Sequence, residues 1–428
     1  MDAGLRGWMP DCGVNGSSTV LASPVSQPAK CILRIGVAMY GRSHMNAKDG
    51  PKTESDSFRP KIRIPWQQLL LLPLPRFLSG FRLGDWWRLL REHQFSIDPI
   101  FWPRAVFATL GASATSILAR FEERVTPESV DAELLEKPVF ILGLPRSGTT
   151  HLFELLSQSP DLCFPTRFDA FNPHSFLLLR RTGLFTLLSK LPKFKRAMDN
   201  LRVGWDSPEE DIVALAILAL KGERLLQMFP RDSAKTKNLP VDISEKRAKS
   251  LDLIRSLRPF LQKLIHLHGK RVLLKSPGHI TRVREILQVF PQAKFVAIFR
   301  NPLHQAASVK NIRQSGNPFW CALQWPRAVE NTFAFELYGE SLREYLDSRT
   351  LIPEGSLVEI TFEELVSDRA RIIRKICESL ALNPPPDSEK LNATARNARP
   401  PGVPPESWIP LIRKHYKPLF DAGLYPRP

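Results

Sequence analysis

From Pro138 onward the chain alternates short apolar runs with segments of helical period. The runs are PVFIL at 138–142, RVLL at 271–274, KFVAIF at 294–299 and LVEI at 357–360. Runs that stay apolar at successive positions fit strands covered on both faces, as in a parallel sheet. Between them, apolar residues recur at helical spacing: Leu152, Leu155 and Leu156 after the first run, then Val283, Ile286, Leu287 and Phe290 after the second. Long helices are predicted over 327–347 and 362–380, and a polar loop over 231–249. Strands alternating with helices predict an α/β fold with a parallel sheet flanked by helices.

Ahead of Pro138 the pattern changes. Residues 1–60 scatter Ser, Gly, Pro, Asn and Lys without a sustained period, which predicts a poorly ordered leader. Residues 61–133 are expected to form a basic, aromatic-rich helical extension; 61–120 alone holds Trp66, Trp86, Trp87 and Trp102. Residues 134–428 form the expected main domain. Its proline-rich tail from 382 carries Trp408, Leu411, Tyr416, Leu419 and Phe420, expected to dock onto that domain.

The strongest local pattern is the strand–loop–helix segment PVFILGLPRSGTTHLFELL, 138–156. Gly143 and Gly148 are spaced as in a phosphate-binding loop, where glycines let backbone N–H groups turn toward an anion at a helix N-terminus. Ser147, Gly148, Thr149 and Thr150 add donors. Thr149 stands where a kinase or ATPase loop carries lysine, and Arg146 supplies the positive charge instead. A P-loop-type sheet without the loop lysine, and with Arg300 rather than aspartate after strand 294–299, speaks against a magnesium site.

Two further strand ends carry cations. Strand 294–299 runs into Arg300-Asn301-Pro302, with Ser308 eight residues beyond Arg300; strand 271–274 runs into Lys275-Ser276-Pro277-Gly278-His279. Open parallel sheets bind ligands at the carboxyl ends of their strands, so Arg146, Lys275 and Arg300 together predict a polyanionic nucleotide there. Lysine would neutralise a transferring group, and histidine could accept a hydroxyl proton.

The net charge of +17 favours anionic partners. Five scattered cysteines without CxxC spacing point to neither zinc nor a disulfide framework, and so to a reducing, cytoplasmic setting. The charge-free run at 105–119 is 15 residues, shorter than the roughly 20 needed to span a bilayer. The mixture of basic residues with Trp and Leu over 61–120 fits either a helical subdomain packed on the main domain with its basic residues outward, or peripheral, salt-sensitive contact with an anionic membrane. No nucleic acid partner is expected.

FILGLPRSGTT (140–150), LLKSPGHI (273–280) and FVAIFRNPLHQAASV (295–309) together resemble the sulfotransferases that use 3′-phosphoadenosine 5′-phosphosulfate (PAPS). The likeness is nearest to the broad bacterial-type group related to the tyrosylprotein enzymes, and it covers roughly 134–380. FNPHSFL (171–177) and WDSPEEDIVALA (205–216) extend it. The resemblance implies PAPS as co-substrate, no metal, and sulfonate transfer to an acceptor hydroxyl or amine of unspecified class. It implies that loop 145–150 holds the 5′-phosphosulfate, that Arg300 and Ser308 hold the 3′-phosphate, and that Lys275 meets the bridging oxygen. The base is implied as Asp169 in some branches and His279 in others. His174 and Asp211 rank lower, and Glu209 and Glu210 read as helix N-terminal acids after Pro208. The alternatives are a magnesium-dependent P-loop kinase and a non-catalytic membrane-surface protein retaining the fold.

Overall fold

The computed structural model describes residues 80–126, 128–195, 202–231, 243–314, 322–324, 333–386 and 404–425. The leader 1–60 and residues 61–79 of the basic extension lie outside the described residues. The helices used below are α1 (Leu83–Glu92), α2 (Trp102–Glu122), α3 (Thr149–Leu156), α4 (Arg167–Phe171), α5 (Phe176–Arg181), α6 (Ile212–Ala219), α7 (Ile243–Arg255), α8 (Leu257–His268), α9 (Pro302–Gln314), α10 (Phe333–Arg349), α11 (Phe362–Ser367), α12 (Arg369–Ser379) and α13 (Ile409–His415). The strands used below are β1 (Val139–Leu142), β2 (Leu162–Cys163), β3 (Arg271–Lys275), β4 (Lys294–Phe299) and β5 (Leu357–Thr361).

Among the described residues these five strands form one parallel sheet in the order β2-β3-β1-β4-β5. The first strand in the main domain therefore lies at the centre, between the two strands that end in Lys275 and Arg300. Each strand feeds opposite faces. Val139 and Ile141 of β1 join Val296 and Ile298 of β4 in a core closed by α3 and α12. Phe140 and Leu142 join Phe295, Ala297 and Phe299 in the larger core on the other side. Burying each such side chain contributes about 1.5–3 kcal/mol, so a central strand covered on both faces is held far more firmly than an edge.

The extension shares the larger core rather than forming its own: Phe81, Trp86, Leu89, Phe101, Ala105, Ala108 and Ala112 all belong to it. Within it, Trp86 Nε1 donates to Thr109 Oγ1 at 2.9 Å, and buried Arg104 ties it to the main domain by donating to the Ala322 carbonyl at 2.6 Å. No helix among the described residues is long and apolar enough to cross a membrane.

Three expectations shift. The loop predicted over 231–249 gives way from Ile243 to α7, because Glu, Lys, Arg and Ala favour helix and Leu253 and Ile254 find the core. The helix predicted over 362–380 is two. Asp368 leaves helical geometry at φ −150° and its side chain accepts from Arg371 N, capping α12. The helix predicted over 327–347 is described as α10 from Phe333 to Arg349, and 327–332 lie outside the described residues.

His174, buried between α4 and α5, has its pKa lowered to about 3, first by burial and then by Arg82 and Lys263. The unfolded chain can take up a proton near the ordinary value of 6.5 that the folded chain refuses. Stability is therefore lost as pH falls from about 6.5 toward 3, by up to about 1.4 kcal/mol per pH unit. His174→Gln should flatten the fall of melting temperature between pH 7 and pH 4.5; an unchanged slope would show that His174 does not carry it.

Candidate active site

The centre of the site is the turn between β1 and α3. At Gly143 a Cβ would lie 2.6 Å from Ser147 Oγ, 2.7 Å from Thr149 Cγ2 and 2.9 Å from the Ile298 carbonyl, so only glycine lets the loop fold back on itself here. Arg146 adopts φ 72°, a left-handed conformation that costs a non-glycine residue on the order of 1 kcal/mol or more. Gly148, at φ 103°, lies against the Phe362 ring, 2.3 Å from where its Cβ would sit. The resulting cradle opens at the N-terminus of α3. Ser147 Oγ is buried without a hydrogen-bond partner among the described residues.

Strand register brings the cations to this cradle. Ile141 pairs with Lys275 on one side of β1, and Leu142 pairs with Ala297 on the other, three residues before Arg300. Lys275 is 3% exposed; its Nζ donates to Thr150 Oγ1 at 3.1 Å and to a Glu210 carboxylate oxygen. Arg146 Nε donates to Ser308 Oγ at 2.9 Å, and Arg300 donates to the Arg146 carbonyl at 3.3 Å. The Arg300 guanidinium lies 4.4 Å from the Phe362 ring centroid, and its Nε is buried without a hydrogen-bond partner among the described residues. Burial pulls the Arg300 pKa down, opposed by the Glu363 carboxylate and reinforced by Arg146. Arg146 and Arg300 thus stand together at a donor-rich turn, where two like charges favour an anion between them.

Further groups brace the cradle. Asn301 caps α9, its Oδ1 accepting from Leu303 N at 2.9 Å. Gln305 Nε2 donates to the Pro145 carbonyl at 2.7 Å, and buried Tyr416 donates through its hydroxyl to Gln305 Oε1 at 3.0 Å. Tyr425 reaches Glu363 and Asn301; burial and the Glu363 carboxylate push its phenol up to about 12. A cleft beside Thr150 is lined by Phe153, Arg167, Arg202, Val203 and Pro208.

The structure gives the two expected base candidates other surroundings. Asp169 is fully buried as the N3 acid of a capping box: its carboxylate accepts from Thr166 N and Oγ1 and from two Arg180 nitrogens at 2.8 Å. Both oxygens are occupied by these partners. His279 is also fully buried. Its Nε2 meets Asp211 Oδ2 at 2.7 Å, its ring stands edge-on to Phe140, and its Nδ1 is sealed away. Asp211 further accepts from Ser276 Oγ at 3.1 Å, anchoring α6 to the end of β3. Glu209 lies 3.7 Å from Arg167. Glu210, read from sequence as a helix-end acid, is instead the carboxylate on Lys275. The acid-rich PEED ahead of an unbroken apolar helix was the available signal. Nothing local marked Phe362 or Gln305, and Tyr416 stood out only as a tail residue expected to dock.

A model described as the sulfotransferase family matches residues 138–386, more than half of the chain. The chain belongs to the sulfotransferase family. It is 29% identical over 314 residues to omega-hydroxy-beta-dihydromenaquinone-9 sulfotransferase Stf3 of Mycobacterium bovis and of Mycobacterium tuberculosis, covering 71% of this chain and 78% of theirs. The solved sulfotransferase STF9 from Mycobacterium avium shares its fold, with a TM-score of 0.54 at 18% identity over 86% of this chain and 98% of that one. This sulfotransferase accordingly moves a sulfonate onto an acceptor, and the kinase and scaffold alternatives are not favoured.

The pairing of Asp169 with Arg180 yields a stability test. Arg180→Met leaves a buried carboxylate without its cation and should cost about 3–5 kcal/mol, seen in the denaturant midpoint. Adding Asp169→Asn should restore part of the loss. A single variant as stable as wild type would sink the structural assignment of this sulfotransferase's Asp169.

Proposed function

We propose that the enzyme transfers sulfonate from PAPS to a hydroxyl on an apolar, lipid-like acceptor, with Glu210 as general base. The observation that carries this reading is the cluster in which one buried amine, Lys275 Nζ, meets both the loop hydroxyl of Thr150 and the Glu210 carboxylate. A cation for the transferring group and an acid–base group for the acceptor thus share one point at the end of the central strands. The cradle fits the donor: the tight Gly143 turn, the buried unpartnered Ser147 Oγ and the unpartnered Arg300 Nε are groups an anion would satisfy.

In this reading the loop amides 145–150 and Arg146 hold the 5′-phosphosulfate, and Arg300 and Ser308 hold the 3′-phosphate. Lys275 and Arg146 offset the charge that gathers on the leaving oxygen during in-line displacement, replacing solvent with fixed donors. Glu210 takes the acceptor proton once Lys275 turns to the sulfonate. Three side-chain cations supply the charge, so the reading needs no metal. The hydroxylated menaquinone in the relatives' name supports an apolar acceptor.

Glu210→Gln should lower kcat by about 10²–10⁴ while changing the affinity for the desulfonated product, PAP, only a few-fold. Radiolabelled PAPS turnover with a hydroxylated isoprenoid quinone, paired with PAP calorimetry, measures both. Activity near wild type would remove Glu210 from the base role. Arg300→Ala should weaken PAP by about 2–5 kcal/mol yet leave adenosine 5′-phosphosulfate, which lacks the 3′-phosphate, nearly unaffected. Equal losses for both ligands would make Arg300 a structural brace.

A further inference from the structure

The polarity of α2 is inverted relative to an ordinary surface helix. Its inward face is made of small residues, with Ala105, Ala108, Ala112, Thr115 and Ala119 all buried. The two charged residues on that face, Arg104 and Glu122, are 1% and 2% exposed and fully engaged. Arg104 donates to the Ala322 carbonyl, and Glu122 accepts from Leu177 N, Leu178 N and Lys263 Nζ. The large apolar residues point the other way. Trp102, Val106, Phe107, Leu110, Ile117 and Phe121 are 46–63% exposed. Between Trp102 and Arg120 the exposed positions of α2 carry no charge. At 1.5 Å per residue, Trp102 to Phe121 is a strip about 28 Å long. Packing alone would favour the reverse arrangement, with large residues inward and polar residues outward.

We propose that this face of α2 docks on the surface of an anionic lipid bilayer. A contiguous apolar strip of this length on one helix marks a contact surface. Its borders are cationic. Exposed Arg120 and Arg124 close the C-terminal end, with the Arg124 guanidinium 5.2 Å from the Phe121 ring centroid. On the neighbouring α1, exposed Arg91 stands one turn from exposed Trp87, whose ring meets that of Phe95 at 5.1 Å. The exposed acids of this stretch are Glu92 and Glu123, the latter 3.7 Å from Arg82. Aromatic and aliphatic groups that enter the headgroup boundary, with arginines at the edge reaching phosphates, are what an interfacial helix needs. The surface lies parallel to the membrane and does not cross it. It stands whether or not the proposed acceptor is right, because it is read from binding and not from turnover.

The test is co-sedimentation of the full chain with vesicles of phosphatidylcholine alone or mixed with phosphatidylglycerol, at low and high salt. Wild type should bind the anionic vesicles, more weakly at high salt. Brominated acyl chains should quench part of its tryptophan fluorescence through Trp87 and Trp102. Leu110→Glu with Ile117→Glu should weaken binding by at least about tenfold, since charge is unwelcome at an inserted face. Both residues are more than half exposed, so the melting temperature and PAP affinity should match wild type. Arg120→Ala with Arg124→Ala should weaken binding to anionic vesicles only. Failure of wild type to bind anionic vesicles at low salt overturns the proposal. So does undiminished binding by the glutamate variant, or absence of quenching. A wild-type dimer that ignores vesicles, and that the glutamate pair converts to monomer, would assign the face to a second copy of the chain instead.

Discussion

The arrangement of the whole site depends on how closely the chain can approach itself at the β1–α3 turn. Gly143 tolerates Ser147, Thr149 and the Ile298 carbonyl inside the space a methyl group would need, and Gly148 tolerates Phe362 in the same way. Those two contacts fold the loop into a cradle and seat it on β4 and α11. The ring that presses on Gly148 also supports the Arg300 guanidinium. One aromatic side chain, directly after the strand that pairs with β4, thus lies against both the loop and the Arg300 guanidinium. A substitution at either glycine would disturb the turn and the packing around Phe362.

The central strands were legible because burial on both faces leaves them little but apolar residues, and PVFIL and KFVAIF show it directly. The cations at their ends were legible for a related reason: a charge directly after such a run has to lie at the sheet edge. The chemistry that depends on pairing across the chain was not. Glu210 and Lys275 are 65 residues apart, and no local pattern distinguishes a helix-end acid from one that reaches a lysine on another strand. Asp169 looked available because its ion pair with Arg180 closes only once α4 and α5 have packed. His279 looked reachable because burial does not show in a turn sequence.

The two faces of α2 illustrate the same limit. Alanines and bulky residues are both apolar, so the segment carries little contrast along its length, and the run reads simply as hydrophobic. Only packing reveals that the small side chains face the core and the large ones face outward. Close approach through alanines leaves the bulky groups without a place inside.

The chain of contacts from Pro145 through Gln305 to Tyr416 has a consequence for how the enzyme is made. The loop is encoded early in the main domain, whereas the tyrosine that holds its bracing glutamine is synthesised some 270 residues later. At about 5–20 residues per second, the ribosome exposes the loop for tens of seconds before the last brace can close. Contacts this distant in sequence also slow the search for the native arrangement. Tyr416 can therefore brace the loop only after every strand of the sheet has been synthesised.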